Sequence, residues 1–472
     1  MDGSLVSSAV VDAGGSGVAA VGNDASILDA LAIYQRALPP EFFQELVVRE
    51  ELAENNRVYT AAVVMWLMIT QRLRGKGSMQ TAVLELLRGL PASFWPRRCK
   101  RLQDWLDEEG KVSSYTGAYN KARQELPLSV VKQSCDRVFE ELIAGAGPGS
   151  LEGGRRIFFF DGTSVRTPHT DALYQTYPPG SNQHGESHWP LIRMLVAHDL
   201  DTGLAISPEW GPLNGPHAVS EQGLLEKAID RLPPGAVVGG DGNFGVFSVA
   251  YAADRRQHPV LLRLTPVRAR SLAGEALREG IERRLDWRPS RDDRKSHPEL
   301  PAEACVRGRL IVRQVQPSNG AAAFLLCLFT TLEGHSDLIV NLYGKRWNVE
   351  TDLRTLKSTL QMEDLTCKTP DMVAKEIHLA IAAYNLVRAV TCLAARKAGL
   401  PPRAYSFTQV QNVIQAFAPL IAAARSEAEA QKHLDNMMYY VGQATLPKRK
   451  KPRPSYPRGV WARFQSLPNR KV

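Results

Sequence analysis

The chain has 472 residues, of which 44% are hydrophobic and 23% are charged, enough apolar material to bury a sizeable core. Its longest uncharged apolar runs, 60–70 and 321–332, are shorter than the roughly 18–20 residues of a membrane span. No basic stretch precedes an apolar one at the N-terminus, so we expect neither a membrane anchor nor a secretory signal. The six cysteines are scattered without a Cys-x-x-Cys pair, which disfavours disulfides and structural zinc and predicts a reducing, cytoplasmic location.

Positive charge is concentrated at the C-terminal end of the chain. Lys and Arg number 58 and Asp and Glu 49, which leaves a formal net charge of +9. Nine basic residues and no acidic residue lie within 448–472, so this segment carries the whole net charge. A second basic cluster occupies 97–101. Such segments predict binding to a polyanion such as nucleic acid, although a solvated tail without a specific partner has the same composition.

The first 150 residues are expected to be mostly helical. Residues 1–25 are small and aperiodic, and we expect them to be disordered. From 26 to 150 the apolar residues recur with helical spacing, and Ser78 is placed to cap one of the helices. The short turn at 75–77 joins two of these helices, an arrangement found in helix-turn-helix units that bind DNA and also in plain helical bundles. The Gly-rich segment 144–154 then marks a domain boundary.

Strands and helices alternate after residue 154. Short apolar strands are predicted at 157–160, 191–198, 204–210, 236–239 and 260–264. Helices are predicted between the later strands, at 219–231 and 247–254. A strand, a hairpin, a helix, a strand, a helix and a strand in this order indicate a mixed α/β sheet.

The rest of the chain is expected to hold an insertion, the end of the α/β core and a helical region. Residues 266–320 are rich in Arg, Asp and Pro, and we expect a strand-rich insertion there. A strand at 322–331 precedes a strong helix at 336–361 and further helices at 370–397, 407–424 and 426–440. The expected units are thus a core at 151–265 plus 321–400, a helical region at 401–445 and a basic tail at 446–472.

Three carboxylates stand where they could share a metal ion. Asp161 and Asp241 each follow a predicted strand, at the edge where side chains of an α/β sheet emerge into a cleft. Glu350 lies on the helix predicted at 336–361. Three carboxylates suit one or two Mg²⁺ ions, with Mn²⁺ as a substitute, and two such ions support in-line phosphoryl transfer. Taken singly, each Asp-Gly pair is equally typical of a turn.

A strip of polar side chains flanks the buried face of the helix that carries Glu350. With about 100° per residue, the apolar side chains between 349 and 360 form one stripe. Tyr343, Arg346, Glu350 and Lys357 form a narrow strip beside it. An exposed face with an ordinary Arg–Glu pair explains Arg346 and Glu350 but not the other two residues. The strip is therefore expected to face a cleft.

This strip carries a resemblance to a known family. It matches at every spacing the signature Tyr-x2-Arg-x3-Glu-x6-Lys, and so resembles DDE transposases of bacterial insertion sequences, in the cut-and-paste branch with a ribonuclease H-like catalytic core. Asp-Gly-Thr at 161–163, Asp241 before Gly-Asn-Phe, and Ala-Ala-Tyr-Asn-Leu at 382–386 extend the resemblance. It covers about 150–400 well and 40–145 more loosely.

The resemblance implies a fold and residue roles. The fold is a ribonuclease H-like mixed-sheet α/β core with a strand-rich insertion, flanked by all-α N-terminal and C-terminal regions. The implied catalytic and metal-binding triad consists of Asp161, Asp241 and Glu350. The side chains implied to contact phosphates at the transposon end are Tyr343, Arg346 and Lys357. Trp287 is a candidate for stacking on a flipped base, as an insertion Trp does in some relatives, although packing within the insertion is an equal alternative.

The function implied is that of a DNA transposase. It would bind terminal inverted repeats through the helices at 26–150, pair two ends as a homodimer through 401–445, and cut and join DNA with Mg²⁺ at the bacterial nucleoid. A stand-alone metal-dependent DNA nuclease of the same fold and a non-catalytic DNA-binding derivative stay open as alternatives. His184 and His188 lack a third metal ligand, and the chain has no phosphate-binding Gly-rich loop ending in Gly-Lys.

Overall fold

The computed structural model describes residues 37–52, 58–75, 77–88, 114–182, 185–316, 322–422, 424 and 426–447. The N-terminus expected to be disordered, the basic cluster at 97–101, His184 and nearly all of the basic tail lie outside these residues. The first helices described are α1 (Pro40–Arg49), α2 (Ala61–Leu73), α3 (Met79–Arg88), α4 (Gly117–Glu125) and α5 (Leu128–Gly145). Ser78 caps α3 as predicted, because its hydroxyl accepts a hydrogen bond from the Thr81 amide at 3.0 Å.

Ten strands follow within the described residues, and eight of them form one mixed sheet. They are β1 (Ile157–Arg166), β2 (Ser181–Asn182), β3 (Gly185–Glu186), β4 (Leu191–Asp199), β5 (Glu209–Pro212), β6 (Val237–Gly240), β7 (Val260–Arg263), β8 (Glu282–Trp287), β9 (Val306–Val315) and β10 (Phe324–Thr330). The sheet order is β5-β4-β1-β6-β7-β10-β9-β8, and β2 pairs with β3 alone. The pairs β1–β6 and β6–β7 are parallel and the others antiparallel. The predicted mixed α/β sheet is confirmed.

Helices lie between and after the strands. They are α6 (Asp171–Thr176), α7 (Glu221–Ala228), α8 (Phe247–Arg255), α9 (Pro266–Ala273), α10 (Arg291–Ser296), α11 (Ser336–Gly344), α12 (Trp347–Arg354), α13 (Pro370–Ala398), α14 (Phe407–Ala422) and α15 (Glu427–Gln443). Helices α2 and α5 pack against α13, and α14 and α15 pack against it as well. The N-terminal helices therefore share one apolar core with the sheet.

Both faces of the sheet are covered. Successive side chains of a strand point to opposite faces, and four consecutive residues at the start of β1 are buried. Phe158 and Phe160 join the main core, whereas Ile157 and Phe159 join a second cluster to which α11 and α12 contribute. Burial on both faces is typical of sheets with helices on each side. Asp161, two residues beyond Phe159, belongs to the face that α11 and α12 cover.

The segment 266–320 extends the same sheet. β10 pairs with β7 on one side and with β9 on the other, and β9 pairs with β8. The strand-rich stretch therefore continues the core sheet at its edge and does not form a sheet of its own.

β1 is longer than the sequence predicts. It does not end at Phe160 but continues through Asp161 to Arg166. The reason is its antiparallel partner, because β4 pairs with it from Phe158 to Arg166. The local sequence Asp-Gly-Thr is typical of a turn, but a full-length neighbouring strand keeps it extended.

The helix predicted at 336–361 is interrupted. α11 ends at Gly344, α12 begins at Trp347, and the turn Thr355–Thr359 is π-helical. The predicted buried stripe is confirmed nevertheless, because its apolar members are at most 7% exposed. They are Val349, Leu353, Leu356 and Leu360.

Helix α13 is the central helix of the fold. In the part of the chain that the structure describes, it alone has the length and apolar composition of a membrane span. However, 89% of its most apolar 18-residue stretch is buried within the protein. The Tyr384 hydroxyl donates to the carbonyl of Gly203 at 2.9 Å. The Asn385 side chain exchanges two hydrogen bonds, each 2.8 Å, with the backbone of Ala205. These contacts tie α13 to the loop after β4.

Acid is expected to destabilise the protein through His378 on α13, whose ring packs edge-on against Trp210. Burial, together with Arg231 and Lys132, lowers the pKa of His378 to about 3. An unfolded His takes up its proton below about pH 6.5. Between these pH values the unfolded state binds more protons, so stability falls as the pH falls.

The loss from pH 6.5 to pH 5 should be on the order of 2 kcal/mol for this side chain. We expect the urea midpoint of His378→Gln to change less between pH 7.5 and pH 5 than that of the wild type. His217 is exposed, so His217→Gln should leave the pH dependence unchanged. Equal pH dependence in all three proteins would contradict the role of His378.

Candidate active site on the α11–α12 face of the sheet

Asp161 and Asp241 lie beside each other on neighbouring parallel strands. Ile157 is opposite Val237 and Phe159 is opposite Gly239, so the same register brings Asp161 opposite Asp241. Asp241 follows directly after the last residue of β6. Gly239 keeps this pairing close, because a Cβ there would lie 2.5 Å from the Phe159 ring. The two carboxylates therefore share one face of the sheet.

Helices α11 and α12 bring further polar side chains to this face. Tyr343 is near the end of α11, and its ring meets that of Phe159 edge-on, with centroids 5.9 Å apart. Arg346 stands at the junction of the two helices. Its Nη2 donates to the Glu350 carboxylate at 2.6 Å. The break between the helices thus brings Arg346 and Glu350 near Asp161 of β1.

The carboxylates and Arg346 interact electrostatically. Burial raises the pKa of Asp161 to about 6, Arg346 opposes this rise, and the negative charges of Asp241 and Glu350 add to it. Burial also works against the charge of Arg346, but Tyr343, Glu350 and Asp161 outweigh burial and raise its pKa above the ordinary value. Three like charges with one guanidinium leave an excess of negative charge, which favours a bound cation.

Backbone amides orient the two aspartates. The Gly162 amide donates to Asp161 Oδ1 at 3.0 Å, and the Asn243 amide donates to Asp241 Oδ1 at 2.9 Å. The loop after β6 closes as a turn, because the amides of Phe244 and Gly245 both donate to the Asp241 carbonyl. Each carboxylate is held by a backbone amide one or two residues further along the chain and keeps oxygen lone pairs for other ligands.

Tyr343 is under the site and not on its surface. It is 6% exposed, and the charged group next to its buried hydroxyl is Arg346. Burial raises the pKa of Tyr343 to about 12, while the charges of Arg346 and Arg263 oppose this. The expected contact of Tyr343 with a phosphate is therefore not open in this structure, because Phe159 and the α11–α12 junction cover the ring.

Lys357 is not joined to the other members of the strip. It lies in the π-helical turn after α12 and is half-buried. Its ammonium makes no hydrogen bond or ion pair with any residue in the described ranges. A regular α-helix would place Lys357 beside Glu350, but the turn Thr355–Thr359 is π-helical and has a different number of residues per turn.

Trp287 is buried in this structure. This side chain is 3% exposed and packs edge-on against Phe247 and Phe329, with centroids 5.9 and 4.7 Å away. Strand alternation in β8 turns it into the core. Trp287 is thus a core residue of the sheet, and its two ring partners lie outside the segment 266–320.

The carboxylates do not form a ready-made metal cage. Across the described ranges, no three His, Cys, Asp or Glu side chains are grouped closely enough to hold a metal ion. Arg346 competes with a cation for Glu350, since the two already form an ion pair. The donor set still suits Mg²⁺, which prefers oxygen ligands and keeps several of its waters.

Sequence reasoning missed two residues near the site. Arg263 ends β7 and acts electrostatically on Tyr343. Asn243 orients Asp241 through its backbone amide. The signal for Asn243 was available, because a residue two positions after an Asp is where an Asx turn closes. The position of Arg263 depends on strand order and had no sequence signal.

Comparisons with known proteins agree with this geometry. A family model described as "Transposase DDE domain" matches residues 152–386, a range that contains Asp161, Asp241 and Glu350. The transposase InsG for insertion sequence element IS4 of Escherichia coli (strain K12) is 25% identical over 300 residues. That alignment covers 61% of this chain and 64% of the length of InsG. A pair of aspartates in and after neighbouring strands, facing a helix-borne Glu inside the range of the family match, identifies the chain as a member of the DDE transposases of insertion sequences, with their ribonuclease H-like fold.

Proposed function

We propose that the chain binds the terminal inverted repeats of an insertion sequence and catalyses metal-dependent cleavage and strand transfer of DNA there. The observation that carries this proposal is the convergence of Asp161, Asp241 and Glu350 on one face of the sheet, with Arg346 among them. Such a group can bind metal and phosphate together, as phosphoryl transfer on DNA requires.

A divalent metal is general in the DDE transposase family, and the residues of this chain fit one. The excess negative charge around Asp161 would be relieved by a divalent cation. We propose Mg²⁺, with Mn²⁺ as a substitute, held by Asp161, Asp241 and Glu350. Bound there, the metal supplies polarisation of the attacking and the leaving oxygen of an in-line displacement.

The other residues of the site bind and orient. Arg346 holds Glu350 in the free protein and has the planar donor set that suits a phosphodiester. Lys357, unpaired within the described ranges, is the side chain we propose to contact a DNA phosphate directly. Tyr343 supports the α11–α12 junction from below through its contact with Phe159. These roles divide the strip into a phosphate-binding part and a supporting part.

The proposed partner is double-stranded DNA, first as terminal repeats and then as target. We propose that the helices within 26–150 bind the repeats, that the basic tail adds electrostatic attraction, and that a homodimer formed through 401–445 pairs two ends. The proposed place of action is the nucleoid in the bacterial cytoplasm.

The test is cleavage and joining of a DNA fragment that carries the sequences flanking the gene. We expect double-ended cleavage and joined products with Mg²⁺ and none with EDTA. A fragment with scrambled ends is the control. Cutting of both fragments without joining would point instead to the stand-alone nuclease, and binding without cutting to the non-catalytic derivative.

A change at Lys357 should affect DNA binding through charge alone. Lys357→Ala should weaken binding to the end fragment and lower the slope of log affinity against log salt by about one. Lys397, exposed in the last turn of α13, offers the matched control Lys397→Ala. The measurement is fluorescence anisotropy at several salt concentrations. An unchanged slope for Lys357→Ala would show that this side chain does not contact a phosphate.

A further inference from the structure

Glu221 contacts the residue after Asp161 in β1 and the loop that follows Asp241. It is the first residue of α7, whose N-cap is the preceding Ser220, and it is half-buried. Its carboxylate contacts the backbone of β1 directly after Asp161, since a Cβ on Gly162 would lie 2.2 Å from Glu221 Oε1. Only Gly allows this approach, so the sequence Asp-Gly at 161–162 has a packing reason in addition to its turn propensity.

The other oxygen of Glu221 holds the loop after β6. Glu221 Oε2 accepts a hydrogen bond from Asn243 Nδ2. The neighbouring Gln222 donates through Nε2 to the carbonyl and to the side-chain oxygen of Asn243, at 2.8 and 2.9 Å. The amide of the same Asn243 donates to Asp241. One turn of α7 therefore fixes the residue that orients the second aspartate.

The usual structural tasks of a helix-terminal Glu do not account for Glu221. The helix is already capped, because the Ser220 hydroxyl accepts from the Gly223 amide at 3.0 Å. No Lys or Arg of the described ranges forms an ion pair with Glu221. Its interaction with the helix dipole would be satisfied by any orientation, whereas the observed one contacts both Gly162 within β1 and Asn243 after β6.

We propose that Glu221 is a positioning residue that fixes the separation of Asp161 and Asp241 for metal binding. One carboxylate oxygen contacts the strand beside Asp161, and the other holds Asn243, which orients Asp241. The proposal rests on the proposed function, since it assigns the metal to these aspartates. Residues that orient metal ligands commonly change metal affinity by about 10–100-fold when they are removed.

The test measures metal binding without DNA. Free Mn²⁺ is followed by electron paramagnetic resonance in titrations of the wild type, Glu221→Ala and Glu221→Gln. Lys227→Ala, on the exposed side of the same helix, is the control. We expect Glu221→Ala to bind Mn²⁺ about tenfold more weakly. Glu221→Gln keeps an oxygen for Asn243 and should recover most of the affinity, and Lys227→Ala should match the wild type.

Two further measurements separate the possible outcomes. Melting temperatures in EDTA show whether a variant is folded. If Glu221→Ala is not folded, Glu221→Asp is used in its place, because the shorter side chain cannot reach both Gly162 and Asn243. Equal Mn²⁺ affinity in the wild type and the folded variant would overturn the proposal. Metal-dependent cleavage of the end fragment is measured in parallel. A wild type that binds Mn²⁺ and does not cut refutes the proposed function and leaves the positioning role to be judged by the titrations.

Discussion

Glu350→Gln is expected to lower the rate of strand cleavage by about 1000-fold or more, while DNA-end binding stays within about twofold of the wild type. Gln has nearly the shape of Glu and can still accept the hydrogen bond from Arg346. It carries no charge, however, and is therefore a poor ligand for a divalent cation. We therefore expect the cleavage rate to fall without a matching loss of affinity for the DNA ends.

Single-turnover cleavage of the end fragment measures this effect, with anisotropy for binding. Asp161→Asn and Asp241→Asn should behave in the same way, because all three carboxylates interact electrostatically. Glu363→Gln makes the same change at an exposed position after the π-helical turn and should cleave normally. Cleavage retained by Glu350→Gln would remove this residue from the proposed triad.

Asp352→Asn is expected to destabilise the folded protein, although Asp352 is only two residues from Glu350. Asp352 is fully buried, and its two oxygens accept from Arg388 on α13 and from Arg403. Burial opposes its ionisation, but Arg388 and Arg403 outweigh burial and hold the pKa of the Asp352 carboxyl below its ordinary value. Removing the charge leaves Arg388 buried without a counterion, which costs about 3–5 kcal/mol.

The free energy of unfolding is to be compared by urea and thermal unfolding. Asp364→Asn is a matched control, because Asp364 pairs with Arg166 at 2.8 Å but both side chains are about half exposed. Exposed pairs contribute less than about 1 kcal/mol. If Asp352→Asn and Asp364→Asn were equally stable, the buried network would not be what holds α12 against α13.

The elements that carry the site could largely be found without a structure. The residues that precede Asp161 in β1, and those of β6 before Asp241, are continuous apolar runs, typical of strands buried on both faces. The stripe from Val349 to Leu360 repeats with helical period because one side of the helix is packed. Local periodicity records burial directly, and for this reason it located the buried strand segments and the helix that bears Glu350, but not the end of β1, which extends to Arg166.

Side-chain exposure within these elements could not be found in the same way. Trp287 stands in a segment that reads as polar and Arg-rich, yet it packs on Phe247 and Phe329, which are far from it in sequence. Tyr343 shares the helical strip of Glu350 but is covered by Phe159. In both cases the neighbour that buries the ring comes from another part of the chain, which local spacing does not record.

The sequence alone determined the family signature, the acidic residues and the alternation of strands and helices. These follow from residue type and spacing, which the chain carries locally. Three features of the site come from the folded chain alone: β6 sets Asp241 opposite Asp161, the helix breaks so that Arg346 meets Glu350, and Glu221 contacts both Gly162 and Asn243. These features depend on strand register and on contacts between distant segments, both of which result from the packing of the whole core.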